Sequence, residues 1–449
     1  MLRRRFVMGA ASAAIAAPLA TLQGCGGGGD ANASPEPIPP SKVVLHLPAD
    51  MYRHPNAPTE WWWHIGTLKA GNRTFGFEIN AASFVKDGFA FSQVMLTDVE
   101  NKRHYQHTVP FLPPMFNVDT WAEADPSKPW SVKLGDEANH LSSIEVVNAG
   151  SGYTSGPEVQ ITGGGGSGAI AFAIPNATGA ISTILILTPG AGYTSTPTVT
   201  LVGGGGSGAT AKAVYNYIAM KSPQSDPTRN MTVKSFISDQ ETGTTVLFDL
   251  TFSQQGPPFF VWGTGVNPEG GQGTVQTNNY YFSLTRMQAG GTITIDGVKL
   301  AVSGVTWMDH EYGAFGSAAN PVKWFLQDMQ LDNGVCISNY STLNLGVPEL
   351  NKKQESNCTV QGADGTTWFV ESFVTPIGRT WKSPKSGITY FMQFHVEIPS
   401  FNASIIVDTP VDDQEFPLAN GGVYEGVATA SGTFQYRSVT GTAWNEQAL

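Results

Sequence analysis

Two short stretches concentrate acid–base side chains among aromatic ones. Residues 59–68 read Thr-Glu-Trp-Trp-Trp-His-Ile-Gly-Thr-Leu, and residues 304–313 read Gly-Val-Thr-Trp-Met-Asp-His-Glu-Tyr-Gly. An indole buries a large apolar area yet carries one N–H that must find a partner. Three consecutive tryptophans between Glu60 and His64 therefore point to an apolar pocket holding a few ionisable groups. A carboxyl kept protonated in such surroundings can protonate carbon, and aromatic faces can shelter the resulting cation. Asp309 is the candidate proton donor and His310 its water-positioning partner. Tyr312, Trp307 and Trp62 have the residue types for the surrounding cage. Glu60 and His64 form a second candidate pair, and Asp328 is an extra carboxyl beyond Trp324. A structural reading stands beside this one, with Glu60 and Asp309 bonded to backbone or to an arginine such as Arg286.

Strands are the elements that must position these groups. Apolar residues make up 41% of the 449 and charged residues 14%, with 51 Gly, 29 Pro and no long helical period. That combination predicts an all-β chain of short strands and tight turns. Along a strand successive side chains alternate in direction. Glu60, Trp62, His64 and Gly66 would share one face of the first stretch, and Trp61, Trp63, Ile65 and Thr67 the other. In the second stretch Trp307, Asp309 and Glu311 line up, while Met308 and His310 point oppositely. Trp324, Leu326, Asp328 and Gln330 form a third such row.

Other chemistries lack their signatures. The net charge of −11 with no basic stripe excludes nucleic acid as a partner. There is no Gly-x-Ser-x-Gly elbow, and His310-Glu311 is not followed by a second histidine. The eight His are scattered, so neither a metal centre nor a cofactor is expected.

The ends and interruptions are also legible. Arg3-Arg4-Arg5-Phe6 and an Ala-rich apolar stretch over 8–22 predict an export signal over 1–24, of twin-arginine type. Leu22-Gln23-Gly24-Cys25 is similar to a lipobox with Cys25 as the lipidated residue, and 25–42 reads as a Gly- and Pro-rich tether. An envelope location would let Cys336 and Cys358 bridge. Residues 141–214 repeat with a period of 40: Gly152-Tyr153-Thr154-Ser155 recurs as Gly192-Tyr193-Thr194-Ser195. Each unit is too small to bury a core alone, which predicts a structural β-repeat insert. A weaker duplication relates Gly304-x-x-Trp307-x-Asp309 to Gly441-x-x-Trp444-x-Glu446.

Taken together, these motifs resemble the AttH-like, lipocalin-like family that includes carotenoid 1,2-hydratase. The resemblance rests on Glu60-Trp61-Trp62-Trp63-His64-Ile65-Gly66-Thr67-Leu68 and on Gly304 through Gly313. It continues through Trp324-Phe325, Gln330-Leu331-Asp332-Asn333-Gly334, Trp381-Ser383-Pro384-Gly387-Tyr390 and Tyr424-Glu425-Gly426. It implies two tandem calycin-like barrels, over 43–318 with the insert and over 319–449. An apolar ligand would lie at or between them, near Trp62, Trp63, Trp307, Trp324 and Gln330. The expected activity is hydro-lyase chemistry, the addition of water to a C=C bond of an isoprenoid or lipid-like molecule, by an envelope-anchored protein. The alternatives are a non-catalytic carrier of such ligands and an interaction protein acting through the insert.

Overall fold

The computed structural model describes residues 35–137, 140–270, 273–314, 323–343, 348–418 and 421–449. The export signal and Cys25 lie outside them. Among the described residues the chain is all-β, with short 3-10 turns and no α-helix.

The first sheet contains eleven antiparallel strands. Thr59–Ala70 pairs with Arg73–Phe84 on one side and Val298–Gly313 on the other. Gln106 N donates to Asp239 Oδ1 at 2.8 Å, and Gln240 N to Gln106 O at 2.9 Å. These bonds curl the sheet into a barrel around Trp62, Phe77, Phe248 and Phe282. The second sheet closes outright, because Ala403–Asp408 pairs with both Thr389–Ile398 and Gly421–Phe434. Closure removes exposed sheet edges. Phe325, Met329, Phe394 and Ile405 fill this barrel.

Inserted in the sequence of the first barrel, between its strands Ser131–Leu134 and Tyr217–Lys221, 143–214 forms a separate six-stranded sheet. Its two repeats cover each other. A Cβ on Gly166 would sit 2.7 Å from the Tyr193 ring, and one on Gly206 would sit 2.5 Å from Tyr153. Only glycine admits that approach, and each buried tyrosine thereby caps the other repeat.

The outer faces of both barrels meet in a shared apolar layer that includes Trp63, Ile65, Trp307, Trp324, Leu326, Val427 and Trp444. Contact is tight at Gly76, where a Cβ would lie 2.4 Å from Val427. The register repeats across this seam. Trp63 opposes Asp309 and Ile65 opposes Trp307 in the first barrel, as Leu326 opposes Glu446 and Asp328 opposes Trp444 in the second. By the same register Trp61 is the counterpart of Trp324.

Two expectations are corrected. Cys336 and Cys358 are free thiols. Cys358 stands opposite Asn339, three residues along from Cys336, and odd spacing turns the two side chains to opposite faces. Cys336 lies in the seam layer and Cys358 inside the second barrel. The described end of the 25–42 segment is also not a free tether. Ile38 N donates to Thr367 O at 2.8 Å and the Trp368 indole to Pro35 O at 3.2 Å, which lays it against the second barrel.

Candidate functional site

Strand alternation divides the candidate residues between two places. Trp307, Asp309 and Glu311 face the seam, whereas Met308, His310 and Tyr312 face the interior of the first barrel. The first strand does the same: Trp63 and Ile65 face the seam, and Glu60, Trp62 and His64 face inward. Asp309 and His310 therefore never meet, and Trp62 does not face Asp309.

At the seam, Asp309 is fully buried. Its Oδ1 accepts from Ser283 Oγ at 2.5 Å and from the Trp307 indole at 2.7 Å, while Oδ2 makes no hydrogen bond. Burial pushes its pKa up to about 7, against the pull of those hydrogen bonds. Five more carboxyls share the layer. The Trp324 indole donates to Glu446 Oε1 at 2.8 Å, the Trp444 indole to Glu425 Oε2 at 2.9 Å, and Asn279 Nδ2 to Glu311 Oε1 at 2.5 Å. The Ser338 side chain approaches Asp328 and the Trp63 indole approaches Glu78, favouring their charged forms, but among the described residues neither contact is a hydrogen bond of ordinary length. Burial raises all five, and neighbouring carboxyls raise each of them further. Glu446, in contact with Glu425, rises to about 8. Among the described residues no Lys, Arg or His forms an ion pair with any of the six. Arg286 instead donates to Gly334 O and Gly362 O.

An acid without a cation in low dielectric is stable only when neutral. Burial without a cation thus favours the neutral form of these carboxyls, three of which (Asp309, Glu425 and Glu446) accept an indole N–H. Beside them lies a cavity of about 10 Å³, lined by Ile65, Trp307, Asp328, Gln330, Thr442 and Trp444. That is room for about one water molecule. Gln330, expected to line a ligand, ties the barrels together. Its Nε2 donates to Thr285 O at 2.5 Å and to Thr306 O at 3.0 Å, and Thr442 Oγ1 donates to its Oε1.

Inside the first barrel the chemistry is opposite. Glu60 Oε1 lies 2.8 Å from His54 Nδ1 and 3.1 Å from His310 Nε2. The two imidazoles hold the Glu60 carboxyl below its ordinary range despite burial, and its hydrogen bonds with Asp50 and Glu60 raise His54 to about 9. Tyr312 stacks on His54 at 3.5 Å and Trp62 on His310 at 4.4 Å. His64 is not part of this group. It packs against Phe252 with both ring nitrogens unpartnered, and burial lowers its pKa to about 3. Glu60 and His64 thus do not act as a pair.

The sequence profile of the AttH-like family matches residues 197–447, more than half of the chain. The chain belongs to the AttH-like family. Among solved structures, an AttH assigned in Nitrosomonas europaea is similar at 15% identity and a TM-score of 0.55, covering 92% of this chain and 98% of the other. Kievitone hydratase from Nectria haematococca is similar at 17% identity and a TM-score of 0.54, covering 93% and 98%. Both likenesses are to the two-barrel fold. Among curated proteins none matches the chain significantly by sequence.

Within this AttH-like frame the sequence reading missed His54, Glu78 and Ser283. His54 lies outside both motifs, and its only local signal is the acid at Asp50 four residues before it. Glu78 and Ser283 sit in ordinary strand patterns, and only the register, Ile65 with Glu78 and Ser283 with Asp309, brings them to the seam.

Proposed function

We propose that the protein adds water across a carbon–carbon double bond of an apolar, isoprenoid- or lipid-like molecule at the seam between the barrels. The observation that carries this reading is Asp309: fully buried, held through Oδ1 by Trp307 and Ser283, and facing no cation. In the first step the Asp309 carboxyl gives its proton to one alkene carbon. The π pair forms the new C–H bond, and positive charge appears on the other carbon. Trp63, Trp307 and Trp324, which share the buried layer with Asp309, supply aromatic surface that can stabilise that charge. Water then forms the C–O bond, and the Asp309 carboxylate takes back a proton, so the enzyme is restored. Space for about one water beside Asp328 and Trp307 suits the second reactant.

The seam as it stands is too small for an isoprenoid, so the substrate enters by parting the two barrel faces. Family membership and the hydratase named among similar structures support the reaction class. A carrier would be expected to hold these acids in ion pairs, and among the described residues the six seam carboxyls form none. Arg3-Arg4-Arg5, the apolar stretch after it and Cys25 support an exported, lipid-anchored location at the envelope.

The test uses the processed full-length protein with a panel of isoprenoid and unsaturated fatty-acid alkenes in ¹⁸O-water. One ¹⁸O should enter the product, and Asp309→Asn should cut turnover by about 10²- to 10⁴-fold while the fold persists. Binding of such molecules without any ¹⁸O product would make the protein a carrier. Full turnover by Asp309→Asn would remove Asp309 from the reaction.

A further inference from the structure

We propose that the mouth of the first barrel is a binding site for one divalent d-block cation, best matched by Zn²⁺, with His54 Nδ1, His310 Nε2 and Glu60 Oε1 as ligands. His54 and Glu60 are six residues apart and His310 lies on the strand paired with that of Glu60, and the three donor atoms lie within 4.8 Å of one another. Two imidazoles and one carboxylate form a recurrent zinc set, with a fourth position left for water. Tetrahedral bonds of about 2.0–2.1 Å would space such donors about 3.3–3.4 Å apart. Glu60 Oε1 is 2.8 Å from His54 Nδ1 and 3.1 Å from His310 Nε2. Seating the ion opens these two contacts by a few tenths of an ångström and brings the two ring nitrogens, which lie within 4.8 Å of each other, to the same spacing.

The surroundings are those of a metal site as well. A metal-bound histidine usually offers its other ring N–H to a carboxylate, which fixes the ring and its tautomer. His54 Nε2 faces Asp50 Oδ1 at 3.5 Å, on the side away from Glu60. The His54 backbone N–H donates to both Glu60 oxygens, at 3.1 and 3.0 Å, which orients the carboxylate. Tyr312 and Trp62 clamp the two rings by stacking. The strand and loop are held relative to each other, because the Trp62 and Trp130 indoles both donate to Met51 O. Access exists from one side only: His54 is 21% exposed, whereas His310 is fully buried and Glu60 nearly so.

This site is separate from the seam, so its test does not depend on any substrate. The processed full-length protein is stripped with chelator and titrated calorimetrically with ZnCl₂, then with CoCl₂ while visible absorption is recorded. One equivalent of Zn²⁺ per chain and the ligand-field bands of tetrahedral Co²⁺ are expected. His54→Ala, at the partly exposed ligand, should abolish both. Asp50→Asn keeps all three ligands and should weaken Zn²⁺ by about 10- to 100-fold. Should His54→Ala fail to fold, the Asp50→Asn titration still decides the matter. Absence of Zn²⁺ binding by the wild type overturns the proposal. So does a stoichiometric Zn²⁺ site that survives in folded His54→Ala or is unmoved in Asp50→Asn.

Discussion

Asp309 and Glu60 are both almost completely buried, and they lie on neighbouring paired strands at opposite faces of one sheet. Their proton affinities nevertheless move in opposite directions. Glu60 meets two imidazoles, which favour its charged form. Asp309 meets an indole, a hydroxyl and other carboxyls, which do not compensate the loss of water. Burial by itself raises a carboxyl, and the partners decide whether that rise survives. One sheet thus carries an ionised cluster inside the first barrel and a neutral acid layer outside it.

The largest test of that contrast is the cost of removing each carboxyl. Glu60→Ala leaves His54 and His310 without their shared partner, and should cost about 2–4 kcal/mol once solvent at His54 is allowed for. Asp309→Asn replaces one neutral group by another of the same shape and should cost within about 1 kcal/mol. Urea denaturation of both variants measures the difference, and equal losses would break the comparison.

Next in size is the seam's tolerance of bulk. Gly76→Ala places a methyl against Val427 where no space exists, and should cost about 1–3 kcal/mol. Thiol labelling sharpens the result, since Cys336 belongs to the seam and Cys358 to the interior of the second barrel. Labelling of Cys336 should accelerate while that of Cys358 stays slow. Equal acceleration would mean that the second barrel itself has loosened.

A further test lies in pH dependence. Glu446, whose ordinary value is 4.5, is raised to about 8 in the fold. Between those values the folded chain keeps a proton that the unfolded chain has released. The stabilising contribution of this group is therefore complete below about pH 4.5 and is lost as pH rises through about 8. One such proton is worth about 1.4 kcal/mol per pH unit across that window. Glu446→Gln should flatten the decline by up to that slope, and an unchanged slope in thermal or urea unfolding would show that Glu446 is already ionised.

Much of this arrangement is legible in sequence. Period-two alternation places Trp307, Asp309 and Glu311 on one face and His310 on the other, and the structure keeps that division. The motifs also carry the two-barrel fold. What alternation cannot supply is the identity of the body beyond each face. That depends on barrel closure and on register between strands distant in sequence, which bring His310 to Glu60 and Glu446 to the seam. The same limit explains the cysteines, whose even number fits a bridge while their odd offset in register forbids one.

The central claim is that Asp309 is a protonated acid at the pH where the protein works. Infrared difference spectroscopy of wild type minus Asp309→Asn at about pH 6, below the value of about 7 assigned to this group, tests it directly. The wild type should show a protonated-carboxyl stretch that the variant lacks and that fades as pH is raised. A difference spectrum showing only carboxylate bands would contradict it.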